Sequence, residues 1–141
     1  TGADAAAVAT NGANRLTITN NGVGVTNLIG ISGAPTVAAG TGAGTTPTIA
    51  LSSQTNTSGV LTLTTGTTPA ASATVATITF SGTLGSAPEC QIQGIDPDAA
   101  ALSGTSAVYV SATTTTTMTI SVLSTNLTAA TQYIWNYHCM Q

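Results

Sequence analysis

The sequence predicts an all-β protein: an antiparallel β-sandwich, jelly-roll-like in its winding, preceded by a short glycine-rich, β-structured N-terminal segment. Three observations lead there. From about Pro47 onward, short runs alternate apolar with hydroxyl side chains. Clusters of Gly, Pro, Asn and Ser separate these runs at close, regular spacing. Helical periodicity is nearly absent, with only Asp98 to Leu102 able to form a single turn. Many short strands at regular spacing are the signature of a sandwich or jelly roll.

The first segment, residues 1–45, is punctuated by glycine. Asn11-Gly12 and Asn21-Gly22 fit tight turns that need positive φ. Between and after the turns lie short apolar pieces, Leu16 to Thr19 and Leu28 to Ile31. Such pieces bury little by themselves and gain stability when copies from several chains wrap together, so this part reads as a shaft or linker of a trimer. Gly40-Thr41-Gly42-Ala43-Gly44 resembles a phosphate-cradling loop in glycine content but lacks the lysine and following helix of one; it reads as a flexible joint between shaft and head.

The second segment, residues 46–141, reads as the head domain. Strands are expected at Pro47 to Ser53, Val60 to Thr65, Ala73 to Phe80, Cys90 to Ile95, Ser106 to Ala112, Thr116 to Leu123 and Gln132 to Met140. The clearest alternation sets Met118, Ile120 and Val122 against Thr117, Thr119 and Ser121. Because successive side chains in a strand point to opposite faces, this gives one apolar and one hydroxyl face. Ile78 and Phe80 repeat the pattern against Thr77 and Thr79. In the last strand Tyr133, Trp135, Tyr137 and Cys139 share a face, opposite Ile134, Asn136, His138 and Met140. Apolar groups on both faces predict core on one side and a subunit contact on the other. The threonine run 113–117 precedes an alternating strand and reads as a hairpin or strand entry.

Composition bounds the function. Only 4% of residues are charged, against about a quarter in ordinary soluble proteins. The charged residues are Asp4, Arg15, Glu89, Asp96 and Asp98, for a net charge of −3. With no lysine and one arginine there is no basic surface for phosphates, so neither nucleic acid nor an anionic membrane is an expected partner. Alanine raises the mean hydropathy, but no run approaches the roughly 18 apolar residues of a spanning helix, and no membrane insertion is expected. Disorder is disfavoured because 42% of residues are hydrophobic and few are charged.

Catalytic groups are scarce, and no enzyme activity, catalytic residue, cofactor or metal is expected. His138 and Cys139 are adjacent, which in a strand turns them to opposite faces and spoils a nucleophile and base pair. Asp96-Pro97-Asp98 offers a few oxygens where calcium takes six to eight, so it reads as a turn. Glu89, Asp96 and Asp98 are the only acids of the head from which a glycosidase pair could come, in a chain with one Trp, three Tyr and one Phe. Asn56-Thr57-Ser58 and Asn126-Leu127-Thr128 match the glycosylation sequon, a weak signal in a hydroxyl-rich chain. Cys90 and Cys139 allow one disulfide if their strands are neighbours, and two buried thiols otherwise.

From about Gly40 onward an ordered series of motifs, "GTGAGTTPTIAL", "SGVLTLTTGTTPAASATVATITF", "SAPECQIQGIDPDAAALSGTSAVYVS" and "LTAATQYIWNYHCMQ", resembles a C-terminal module of phage tail-fibre and head-fibre receptor-binding proteins. The resemblance covers roughly the last hundred residues, and residues 1–40 resemble the glycine-rich repeats that precede such modules. It implies a homotrimeric β-structured tip or decoration, located on the virion surface or otherwise extracellular. It implies as partners further copies of the chain, other virion proteins and a host cell-surface glycan or protein. The cysteines at 90 and 139 depart from the apolar residues expected at those positions. Two other roles fit the same composition: a capsid decoration protein without a receptor, and a cellular filament subunit assembled by strand exchange, with the thin first 40 residues as donor strand.

Overall fold

The structure is a computed structural model; it describes residues 33–140 throughout and, ahead of them, the backbone of residues 6–10, 13–19 and 22–25. The chain divides into two compact units, Thr1–Gly30 and Ile31–Gln141. The first holds an antiparallel three-stranded sheet in the order β1-β2-β3, made of β1 (Ala6–Thr10), β2 (Ala13–Thr19) and β3 (Gly22–Val25). Ala6 pairs with Ile18 and Leu16 with Val25, and the register shifts by a bulge at Val8/Ala9. The apolar piece Leu28 to Ile31 and the Asn11-Gly12 pair lie outside the described residues.

The second unit contains β4 (Thr36–Ala39), β5 (Thr48–Ser52), β6 (Ser58–Thr64), β7 (Thr74–Thr79), β8 (Glu89–Gly94), the one-turn helix α1 (Pro97–Ala100), β9 (Val108–Thr113), β10 (Thr117–Val122) and β11 (Gln132–Met140). They form two four-stranded antiparallel sheets, ordered β4-β7-β10-β9 and β5-β6-β11-β8. Only the hairpins β5–β6 and β9–β10 stay within one sheet; every other connection crosses between sheets. The all-β, two-sheet architecture expected from alternation is therefore present.

Alternation is what builds the core. Along β10, Met118, Ile120 and Val122 are buried while Thr117, Thr119 and Ser121 are half-buried on the other face. Along β11, Tyr133, Trp135, Tyr137 and Cys139 are buried. The inward rows of both sheets, with Leu61, Leu63 and Ile78, make a single cluster. Each large aliphatic side chain so removed from water contributes about 1.5–3 kcal/mol. Val75 and Ala76 are both buried although consecutive, because β7 carries an extra residue there: Ile120 pairs with Ala76 and Ser121 with Thr74. A bulge lets two neighbours face the same side.

The expected boundary at 45/46 falls inside this second unit. Thr36–Ala39 pairs with β7 as an edge strand, Thr36 opposite Thr79 and Ala39 opposite Ala76. The glycine-rich stretch after it is a packed corner and not a hinge. Gly40 donates its N–H to the Val75 carbonyl, and Ala43 is completely buried. A Cβ at Gly40 would stand 2.3 Å from the Thr74 carbonyl oxygen. Glycine is needed here for close backbone approach, which sequence texture alone cannot distinguish from flexibility.

Candidate functional site

Strand β11 organises the chemistry of the second sheet. Its start is held by Thr65, a buried hydroxyl that donates to the Thr128 carbonyl at 2.6 Å and accepts from the Thr131 N–H at 3.0 Å. Its middle is held by Tyr137, whose ring covers Gly59 and whose hydroxyl donates to the Thr55 carbonyl at 2.6 Å. Burial raises the Tyr137 pKa from its ordinary value near 10 to about 12. Its end is tied to β8 by the disulfide between Cys90 and Cys139. The Cys139 N–H is spent on Thr57 across the other side of the strand. Cys139 and Cys90 therefore face each other as a close, non-hydrogen-bonded pair, with Cα atoms 4.1 Å apart.

With the inward row fixed, the outward row is fixed as well. Register places Asn136 between Gln93 and Val60, and His138 between Gln91 and Ser58; Met140 lies opposite Glu89. Gln91, Gln93 and Asn136 are exposed and His138 is half-buried. Directly opposed side chains in an antiparallel pair have Cβ atoms about 4.5–5.5 Å apart. Two successive rungs thus set four planar polar groups side by side. None of the four side chains hydrogen-bonds to another described residue. They line two adjoining open hollows of about 310 and 470 Å³, with Ser58 and Val60 at the margin.

Each amide presents a carbonyl acceptor and two N–H donors, and the imidazole adds a ring donor and acceptor. The face can therefore satisfy a ligand that both donates and accepts. Among the described residues its ionisable neighbour besides His138 is Glu89, at the Met140 rung. The second unit has no Lys or Arg at all, because the only basic residue of the chain is Arg15.

Other groups singled out in the sequence are placed elsewhere. His138 and Cys139 do point to opposite faces, and the Cys139 sulfur is committed to the disulfide. Asp96 caps α1: its Oδ1 accepts from the Ala99 N–H and from the Ile134 N–H, each at 3.0 Å. That tie seats α1 against β11 and engages one of the two oxygens a cation would have used; Asp98 sits in the first turn of the helix. Among the described residues no group of three or more His, Cys, Asp or Glu side chains gathers in metal-binding geometry. Glu89 opens β8 and Asp96 lies two residues past its end, so an extended strand sets them roughly 20 Å apart. A glycosidase pair needs about 5–10 Å.

The two sequons differ. Asn56 is fully buried; its Oδ1 accepts from the Ser81 N–H at 2.9 Å and from the Ser81 hydroxyl, while its Nδ2 has no partner among the described residues. Its amide is out of reach of a modifying enzyme. Asn126 is exposed on the connection between β10 and β11.

The alternations Gln91-x-Gln93 and Asn136-x-His138 were visible in the sequence, yet nothing in it joined them. The β8–β11 register does so, and the cysteine pair, whose joining the sequence leaves open, is the signal that points toward it. No family model matches the chain, and neither does any curated protein or solved structure. Among the described residues no helix is long and apolar enough to cross a membrane.

Proposed function

We propose that this chain is the head of a virion-surface fibre, a homotrimeric structural and adhesive module without enzymatic activity that holds a host-surface glycan on the outer face of β8 and β11. The single observation that carries the reading is the set of four unengaged polar side chains, Gln91, Gln93, Asn136 and His138, on two adjacent rungs of one exposed sheet face. Donors and acceptors free of protein partners suit recognition, and because the stapled strand pair holds their backbone, only side-chain rotamers remain to be ordered on binding. The motif series from Gly40 onward and the near absence of charge support the fibre assignment: uncharged surfaces let several copies pack without repulsion.

The experiment is binding of the labelled 141-residue chain to intact cells of candidate hosts, before and after periodate cleavage of surface glycans. The proposal expects saturable binding that periodate abolishes, and a native mass of three chains. Binding to capsid subunits with none to any cell would reassign the chain to capsid decoration.

A further inference from the structure

Resting on that reading, we infer that the β8–β11 face selects a neutral, unmodified saccharide, contacting two linked sugar units, and rejects acidic ones. A carboxylate or sulfate brought against a protein surface loses hydration, and a cationic side chain compensates that loss far better than neutral amide donors do. The second unit has neither Lys nor Arg, and its acids are Glu89, Asp96 and Asp98. Glu89 borders the face itself, next to the His138–Gln91 rung. An anionic sugar would meet the like charge of Glu89 and no Lys or Arg, whereas a neutral sugar brings no charge to be compensated.

Group chemistry narrows the class further. Sugar hydroxyls each donate one hydrogen bond and accept others, and vicinal hydroxyls present this pair at one edge. A planar amide offers a donor and an acceptor on the same end, so Gln93 and Asn136 can each grip a vicinal pair. The His138–Gln91 rung lies two residues further along the strands, roughly 7 Å away, and addresses the next ring of a linked chain. No Trp, Tyr or Phe side chain lies on this outer face, because Tyr133, Trp135 and Tyr137 are all turned inward. Stacking therefore contributes nothing, and single-site affinity rests on hydrogen bonds to water-exposed amides. Such a site binds on the order of millimolar, and tight attachment to a surface comes from several heads acting together.

The test uses the whole 141-residue chain and saturation-transfer NMR with defined probes: neutral gluco-, manno- and galacto-oligosaccharides, and sialylated, sulfated and uronic-acid counterparts. At least one neutral probe is expected to bind, with affinity that changes less than about twofold between low and high salt. Gln93→Ala with Asn136→Ala should weaken it by about tenfold or more. Both residues are exposed, so an unchanged near-UV circular dichroism spectrum is expected and shows the core is intact. Gln93→Glu, which keeps the shape and adds a charge, should weaken binding as well and should not create affinity for acidic probes. Preference for an acidic probe, or indifference to these substitutions, overturns the inference. If the chain attaches to periodate-sensitive cell surfaces and no neutral probe binds, this inference falls while the fibre proposal stands. If it attaches to no cell surface either, both fall.

Discussion

Tyr137 joins stability to geometry within one side chain. Its ring closes over Gly59 and its hydroxyl reaches Thr55, so the residue pins the β5–β6 turn to β11 from inside the core. The turn is itself knit by Thr55, whose hydroxyl accepts from the N–H groups of Thr57 and Ser58. With the folded pKa raised from near 10 to about 12 by burial, the neutral form is favoured in the native state. The linked stability is fully present below pH 10 and is lost as pH rises from 10 through 12. Alkaline titration of the melting temperature should therefore show a fall in that window. Tyr137→Phe should flatten it, at a cost near neutral pH of about 1 kcal/mol for the lost hydrogen bond. A variant whose alkaline transition matched that of the parent would place the effect elsewhere.

Among the elements, β8 and β11 depend most on a covalent tie. The bridge spans 49 residues of sequence, enclosing β9, β10 and α1 between its ends. Closing a loop of that size in the unfolded chain stabilises the fold by roughly 2–4 kcal/mol. Replacing both cysteines by serine should lower stability by that amount in chemical denaturation, and reduction of the parent should reproduce the loss. It should also weaken glycan binding beyond the stability effect, because the rungs next to the bridge carry the proposed site. At the opposite corner Gly66 follows β6, where a Cβ would lie 1.8 Å from the Thr45 carbonyl oxygen. Gly66→Ala must displace backbone that holds the Thr45–Thr67 bridge, and should cost more than about 2 kcal/mol in the same assay.

Element boundaries were largely legible in the sequence where alternation was strong. The strands expected at Ala73 to Phe80, Thr116 to Leu123 and Gln132 to Met140 differ from β7, β10 and β11 by a residue or less at each end. Strand β4 was missed for a physical reason. Thr-Val-Ala-Ala carries one sizeable apolar side chain, Val37, and takes its strand character from the ladder with β7 rather than from its own pattern. With that omission the expected division at 45/46 lies later in the chain than the one between Gly30 and Ile31. The face of Gln91, Gln93, Asn136 and His138 was half legible, since alternation tells which residues share a side of one strand. Which strands lie side by side is a long-range fact, and here the sequence left the pairing of Cys90 with Cys139 open.

For the whole molecule, the governing feature is a sandwich whose exterior is almost free of ionic groups. Its outer surfaces are not equivalent, however. The sheet β4-β7-β10-β9 turns hydroxyls and small groups outward, with Thr77, Thr79, Thr117 and Thr119 on adjacent strands and Tyr109 exposed at the edge. The sheet β5-β6-β11-β8 turns amides and an imidazole outward over β8 and β11. The proposed recognition belongs to the second of these faces. Each face carries its own oxidisable reporter: Met140, 61% exposed, beside the amide rungs, and Tyr109, 41% exposed, on the hydroxyl face. Hydroxyl-radical footprinting of the chain bound to host envelopes therefore tests the assignment in one measurement. Oxidation of Met140 and His138 is expected to fall on attachment while that of Tyr109 is unchanged; protection of Tyr109 with Met140 still fully oxidised would contradict the assignment.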